Sequence, residues 1–219
     1  MWKWKDNRLI KIKVKYKMLF TYGKLLCSYT YGEGQIMDML KKSLKNCPVV
    51  KKGNYDYFVH PITDGIPQME PELLQEVISN IIEVGNMDCD KIVAAEAMAI
   101  PLGVALSLRI DRPYVIIRKR QYGLPGEVSV EQVTGYSKSN MFVNGINKGD
   151  RVLIVDDVLS TGGTMRALVT ALRKIGAEII DTVIVFNKHK NKKELEEELG
   201  LELKTLLDVD VIDGKVMVG

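Results

Sequence analysis

V-L-I-V-D-D-V-L-S-T-G-G-T, running from Val152 to Thr164, decides the reading of this chain. Its first four residues predict a buried strand, which runs straight into two adjacent acids, Asp156 and Asp157. A turn rich in hydroxyls and glycine follows, and Met165 to Ile175 predicts a helix. Gly162 and Gly163 open backbone conformations closed to other residues, so consecutive N–H groups can converge on one anion. Ser160, Thr161 and Thr164 add hydroxyl donors. The unsatisfied N–H groups and positive dipole end of the helix point at the same spot, which favours a phosphate. Asp156 and Asp157 repel a phosphate; they suit sugar hydroxyls, which donate hydrogen bonds to carboxylates, or a divalent cation held through water. This order of parts describes a site for a phosphorylated sugar.

Other readings of the acids fail on what is missing. No G-x-x-x-x-G-K-[ST] run exists to hold a nucleoside triphosphate, and no G-x-G-x-x-G run for a dinucleotide. A purely structural turn needs neither two acids nor three hydroxyls. The segment resembles the phosphoribosyl pyrophosphate (PRPP) signature of type I phosphoribosyltransferases. That resemblance implies that Asp156 and Asp157 hold the ribose hydroxyls, and that Ser160, Thr161, Gly162, Gly163 and Thr164 hold the 5′-phosphate. It also implies the fold: α/β, with a mostly parallel central sheet flanked by helices, a flexible hairpin lid and a small hood. One departure concerns Ser160, where hypoxanthine-guanine enzymes of the animal type carry an acid proposed to take the purine proton. Serine cannot play that part unaided.

The rest of the sequence is read outward from that centre. At 219 residues the chain suits one domain with a small appendage, and 46% hydrophobic and 27% charged residues are ordinary for a soluble enzyme. A net charge of +3 lacks the dense basic face of a nucleic-acid binder. Cys27, Cys47 and Cys89 are scattered and free of C-x-x-C spacing, which argues against a disulfide framework or a zinc site and fits a reducing cytoplasm. No apolar run approaches the roughly 18 residues of a membrane span.

The first 36 residues differ in texture. Trp2 to Lys5 and Lys11 to Lys17 alternate basic and apolar residues at a strand-like period. The stretch Met18 to Leu26 is interrupted by Tyr22, Gly23 and Lys24, unlike a secretion signal. Residues 1–36 are expected to be an extension, poorly ordered or an artefact of start-site choice, because recognised family members begin near Met37 or Met39. Residues 37–219 are then the phosphoribosyltransferase domain.

From Pro48 onward, strands and helices alternate, which implies a parallel sheet with ligands beyond the carboxyl ends of its strands. Strands are expected at Tyr55–Val59, Ile92–Ala95, Tyr114–Arg118 and Val183–Phe186, with helices at Pro71–Glu83 and Pro101–Leu108. The loop Glu96-Ala97-Met98-Ala99 after one strand matches the family's pyrophosphate loop, with Ala99 where archaeal members carry glycine. A positive φ there would strain an alanine by about 1 kcal/mol. Arg118, Lys119 and Arg120 open a Gly- and Pro-containing stretch to Gly145, expected to be a lid over about 119–145. R-K followed by L-P-G-E is similar to the flexible loop of adenine and archaeal hypoxanthine-guanine phosphoribosyltransferases, which implies that Arg118 and Lys119 hold pyrophosphate. Thr134 to Lys138 matches the same archaeal pattern. A hood over about 187–219, with an Asp213-Gly214 hairpin turn, is implied to cover the purine. Phe186 would stack on the base, and Asn187 or Lys188 would address a 6-oxo group. His60 and His189 are read as structural, since neither sits beside a recognisable nucleophile.

The resemblance as a whole implies purine salvage. PRPP and hypoxanthine or guanine would give IMP or GMP plus pyrophosphate, with catalysis by Asp156, Asp157, Arg118 and Lys119. Mg2+ would be held by Asp156 and Asp157 through water and PRPP, and the enzyme would be a cytoplasmic homodimer without nucleic-acid or membrane partners. Two alternatives stay open: an adenine phosphoribosyltransferase, and a non-catalytic PRPP-sensing regulator, for which the extension shows no clear helix pair.

Overall fold

The structure is a computed structural model that describes residues 2–5, 8–11, 16–21, 24–29, 37–53, 55–133 and 138–219. The chain divides into two compact units, Met1–Ile36 and Met37–Gly219. In the first, β1 (Trp2–Lys5) pairs antiparallel with β2 (Arg8–Lys11), and β3 (Tyr16–Thr21) with β4 (Lys24–Tyr29). The alternation at Trp2 to Lys5 falls on a strand, residues 12–15 of the second alternation lie outside those described, and the described residues of this unit form no helix.

The second unit begins with α1 (Asp38–Leu44), the antiparallel pair β5 (Val49–Lys52) and β6 (Tyr55–Phe58), and the single turn α2 (Pro61–Asp64). There follow α3 (Pro71–Val84), β7 (Lys91–Ala95), α4 (Ala99–Ile110) and β8 (Tyr114–Ile117). A hairpin, β9 (Val128–Val133) with β10 (Lys138–Val143), leads to β11 (Arg151–Leu159) and α5 (Gly163–Ile175). The chain ends with β12 (Glu178–Asn187), α6 (Lys192–Leu199), β13 (Lys204–Ile212) and β14 (Lys215–Val218). The central sheet has the order β14-β13-β12-β11-β7-β8, parallel except at β14. Asp213 and Gly214, at φ 50° and 72°, make the tight two-residue turn before β14.

The apolar runs are continuous because both faces of the sheet are covered. Leu153, Val155, Ile92, Ala94, Val183 and Val185 pack with α3 and α4 on one face; Val152, Ile154, Val93, Ala95 and Ile184 pack with α5 on the other. Several boundaries differ from the sequence reading, β12 most by length, running Glu178–Asn187 rather than Val183–Phe186, and two of them bear on the site. Helix α4 starts at Ala99 rather than Pro101, since the proline falls in the first turn, where its missing N–H costs nothing. Strand β11 runs past the acids to Leu159, because β12 is long enough to pair with it as far as Asn187.

Two buried polar groups fasten α1 to this core. Glu76 of α3 accepts the N–H groups of Met39 at 3.2 Å and Leu40 at 2.8 Å, two of those that the first turn of α1 leaves open. His60 Nδ1 accepts the Ile62 N–H at 3.0 Å, which places the imidazole proton on Nε2 facing Ser43 Oγ at 2.8 Å. Burial pushes the His60 pKa down to about 4, against a smaller upward pull from Asp64. Between that value and about 6.5 the unfolded chain binds more protons than the folded one, so stability falls as pH falls through this window. Relative to His60→Asn, which keeps a favoured helix cap but does not titrate, the wild type is expected to lose about 3 kcal/mol between pH 6.5 and 4. Denaturant melts of both proteins across that range measure it; parallel curves would refute the neutral buried imidazole.

Candidate active site

A cleft of about 280 Å3 opens beyond the carboxyl ends of β7, β8, β11 and β12. Ala97 and Met98 reach it from the loop after β7, Lys119 from the end of β8, Asp157 and Ser160 from β11 and its turn, and Lys188 from the end of β12. Tyr57 and Phe58 of β6 line it with Thr63 and Val158, and sequence reasoning missed the β6 pair because nothing in a short aromatic strand marks it as facing a ligand.

The acids do not sit alike. Both lie on β11, and their carboxyls are near enough to interact. Asp157 lines the cleft, whereas Asp156 is 7% exposed and uses Oδ1 to accept the Asp157 N–H at 3.0 Å. Burial raises the pKa of both carboxyls, and the negative charge of Asp156 raises Asp157 further. The described residues offer neither acid an ion pair.

Turn 160–164 is built around Gly162, which caps α5 in the left-handed region at φ 78°. Arg166 is the first residue whose N–H finds a helical acceptor, Gly162 O at 2.9 Å, so the N–H groups from Gly162 to Met165 are the ones helix geometry leaves open. Two side chains outside the motif brace this turn. Arg166 Nη1 donates to Thr161 O at 2.8 Å, and Gln132 of β9 donates to Thr164 Oγ1 at 2.7 Å while its Oε1 accepts from Ser139 at 3.1 Å. Sequence carried one signal for the first: a cation in the first turn of a helix opposes the dipole and needs a partner.

The loop after β7 contains a cis peptide between Glu96 and Ala97. Ala99 has no positive φ and is the first residue of α4, so the strain expected of an alanine there is absent. Glu96 is committed to the chain itself: Oε2 lies 2.7 Å from Arg118 Nε and Oε1 accepts the Lys119 N–H at 2.8 Å. The pair ties this loop to the base of the β9–β10 hairpin, and it leaves Lys119, not Arg118 or Glu96, on the cleft wall. Beyond Lys119, Glu127 accepts from the N–H groups of Tyr122 and Gly123 and from Asn144 Nδ2. Of the matched stretch Thr134 to Lys138, residues 134–137 lie outside those described.

The purine residues are divided. Phe186 is wholly buried, edge-on to Phe58 at 5.7 Å and to His60 at 5.1 Å, because its place on β12 turns the ring into the core; it offers no face to a base. Asn187 donates to Asp208 Oδ1 at 2.7 Å and lines a separate open groove beside β13 and β14. Lys188 alone of the three lines the cleft, its ammonium donating to the Asp56 carbonyl.

Sheet order, cleft and the glycine-containing turn after β11 together point to the class of the phosphoribosyltransferases. A family model described as "phosphoribosyl transferase domain" matches residues 69–206, and the chain belongs to that family. It is 55% identical over 182 residues, 83% of this chain and 100% of the relative, to a hypoxanthine/guanine phosphoribosyltransferase of Methanothermococcus okinawensis. With one of the same name from Methanotorris igneus the identity is 58% over 181 residues, 82% of this chain and 99% of the relative. Among solved structures, adenine phosphoribosyltransferase from Rhodothermus marinus aligns with TM-score 0.62 at 24% identity, covering 80% of this chain and 99% of that one. The Trypanosoma brucei enzyme in complex with AMP, pyrophosphate and ribose-5-phosphate aligns at 0.65 with 19% identity, covering 82% of each chain. Those two likenesses bear on the fold alone.

Proposed function

We propose that the protein transfers the 5-phosphoribosyl group of PRPP to hypoxanthine or guanine, giving IMP or GMP and pyrophosphate in purine salvage. The observation that carries this reading is the single cleft lined by Asp157, Ser160, Lys119 and Lys188. Purine N9 attacks C1′ as the bond to pyrophosphate breaks, the carbon inverts, and the imidazole proton of the purine is released to water. Positive charge develops on the sugar and negative charge on the leaving group, so groups that meet those charges accelerate the step. Asp157 holds the ribose hydroxyls from the cleft wall, with Asp156 behind it. Ser160 to Thr164 cradle the 5′-phosphate. Lys119, with the backbone of Ala97 to Ala99, takes the pyrophosphate, and Arg118 acts through Glu96 to hold loop and lid together. Lys188 donates to the 6-oxo group, a preference that favours hypoxanthine and guanine over adenine.

The donor set fits Mg2+. Among the described residues no cluster of three or more His, Cys, Asp and Glu side chains is present, while two adjacent carboxyls lie where burial makes their charge costly. A hard cation that keeps several waters and takes substrate phosphate oxygens suits such a pair. Bound there, it would neutralise the phosphate oxygens; holding the sugar and excluding water fall to the chain. The lid over 119–145, action as a homodimer and a cytoplasmic setting belong to the same reading. No helix of the described residues is long and apolar enough to cross a membrane.

Pyrophosphate release with PRPP, Mg2+ and each of hypoxanthine, guanine, adenine, xanthine and orotate tests the proposal. Release with hypoxanthine and guanine is expected, and Lys188→Met should raise KM for hypoxanthine roughly tenfold, the worth of one hydrogen bond to a charged donor. Release with adenine alone would assign the rival transferase activity, and PRPP binding without release would assign a sensor. Residues 1–36 are proposed to lie outside the catalytic domain, and recovery of natural peptides from before Met37 would refute a start at that residue.

A further inference from the structure

Arg166 divides its guanidinium between two partners. Nε and Nη2 meet Glu198 of α6 in a bidentate pair, 2.8 Å to Oε1 and 2.7 Å to Oε2, and Nη1 donates to the Thr161 carbonyl at 2.8 Å. Helix α6 closes on the turn from the same side: a Cβ on Gly162 would lie 2.8 Å from Leu195 Cδ2, and Leu195 is buried. The turn therefore rests on α6 through one apolar and one ionic contact.

The peptide between Thr161 and Gly162 carries the consequence. In a trans peptide the C=O and N–H point opposite ways, so an arginine that holds the Thr161 oxygen turns the Gly162 N–H away from itself. Glycine at φ 78° accepts the flipped peptide as readily as this one. A flip would replace the first of the open donors by a carbonyl oxygen, which repels a phosphate. Because Glu198 offsets the guanidinium charge, the effect of Arg166 is one of orientation.

We propose that Arg166, held by Glu198, is a positioning residue for the 5′-phosphate of the substrate: it locks the Thr161–Gly162 peptide with its N–H presented to that group. This rests on the assignment of Ser160 to Thr164 to the phosphate. The test is calorimetric binding of ribose 5-phosphate and, separately, of pyrophosphate, in the presence of Mg2+. Arg166→Met is expected to weaken ribose 5-phosphate roughly tenfold or more and to leave pyrophosphate within about twofold. Arg166→Lys keeps the charge yet cannot reach both partners, so it should restore little. Glu198→Gln, which keeps the fold's contacts on an exposed side chain, should show the same selectivity at smaller size. Unchanged ribose 5-phosphate affinity in Arg166→Met, equal weakening of both ligands, or full rescue by lysine would each overturn the inference. So would wild-type protein that binds pyrophosphate but not ribose 5-phosphate. Selective loss in the variant from a wild type that turns over no purine would support the inference and refute the transferase activity.

Discussion

Asp157→Asn is expected to lower kcat/KM for PRPP by about 100-fold or more, the scale set by removing one preorganised electrostatic contact to a charge-developing transition state. The same variant should melt higher. Burial and the neighbouring Asp156 raise the Asp157 pKa in the folded protein, so the ionised acid is less comfortable folded than unfolded. For an acid of raised pKa, stability is present below the unfolded value near 4 and is lost as pH rises through the folded value. At neutral pH the wild type carries that cost. Asparagine has the same shape without the charge, so replacing the buried acid should raise Tm. Calorimetry and steady-state rates on one preparation decide both halves. Unchanged turnover would remove the ribose-holding role, and an unchanged or lower Tm would remove the cost of burying the pair. Asp156→Asn should lose less activity, since Asp156 lies behind the cleft wall.

Gly162→Ala is expected to be the most damaging single-carbon change in the 160–164 turn. Its φ of 78° costs an L-residue about 1–2 kcal/mol, and its Cβ would stand 2.7 Å from Arg166 Nη1 and 2.8 Å from Leu195 Cδ2. Overpacking of this kind adds about 1–3 kcal/mol. The sum predicts a loss of ~3 kcal/mol, visible as a fall of roughly 6–12 °C in Tm. PRPP affinity should fall with it, because relieving the clash means moving Arg166 off Thr161. Gly149→Ala is the control: φ is 85° there but no described atom lies within 4 Å of the added carbon, so it should show the backbone cost alone, without the loss of PRPP affinity. Equal effects from the two substitutions would remove the packing argument.

How far these residues were legible before folding depends on how local their physics is. The 160–164 turn declares itself in Val152 to Thr164, since the strand, acids, glycines and helix that make it are neighbours in the chain. The Asp213-Gly214 turn is legible for the same reason, both φ angles being positive. Phe186 shows the opposite case. Its position at the end of a strand is right for a ligand wall, but whether the ring faces cleft or core is set by Phe58 and His60, more than 120 residues away.

Sequence alone determined the parallel α/β sheet, the strand–turn–helix order around Val152 to Thr164 and the family resemblance, because each rests on runs of adjacent residues whose spacing fixes backbone conformation and donor type. Tertiary structure decided which chemistry-bearing side chains meet. It extended β11 through the acids and put Asp157 on the cleft lining, turned Glu96 onto Arg118, and brought Glu198 and Leu195 against a turn more than 30 residues earlier in the chain. Those outcomes depend on register and packing between distant elements, and no local pattern encodes a partner that only the folded chain brings within 3 Å.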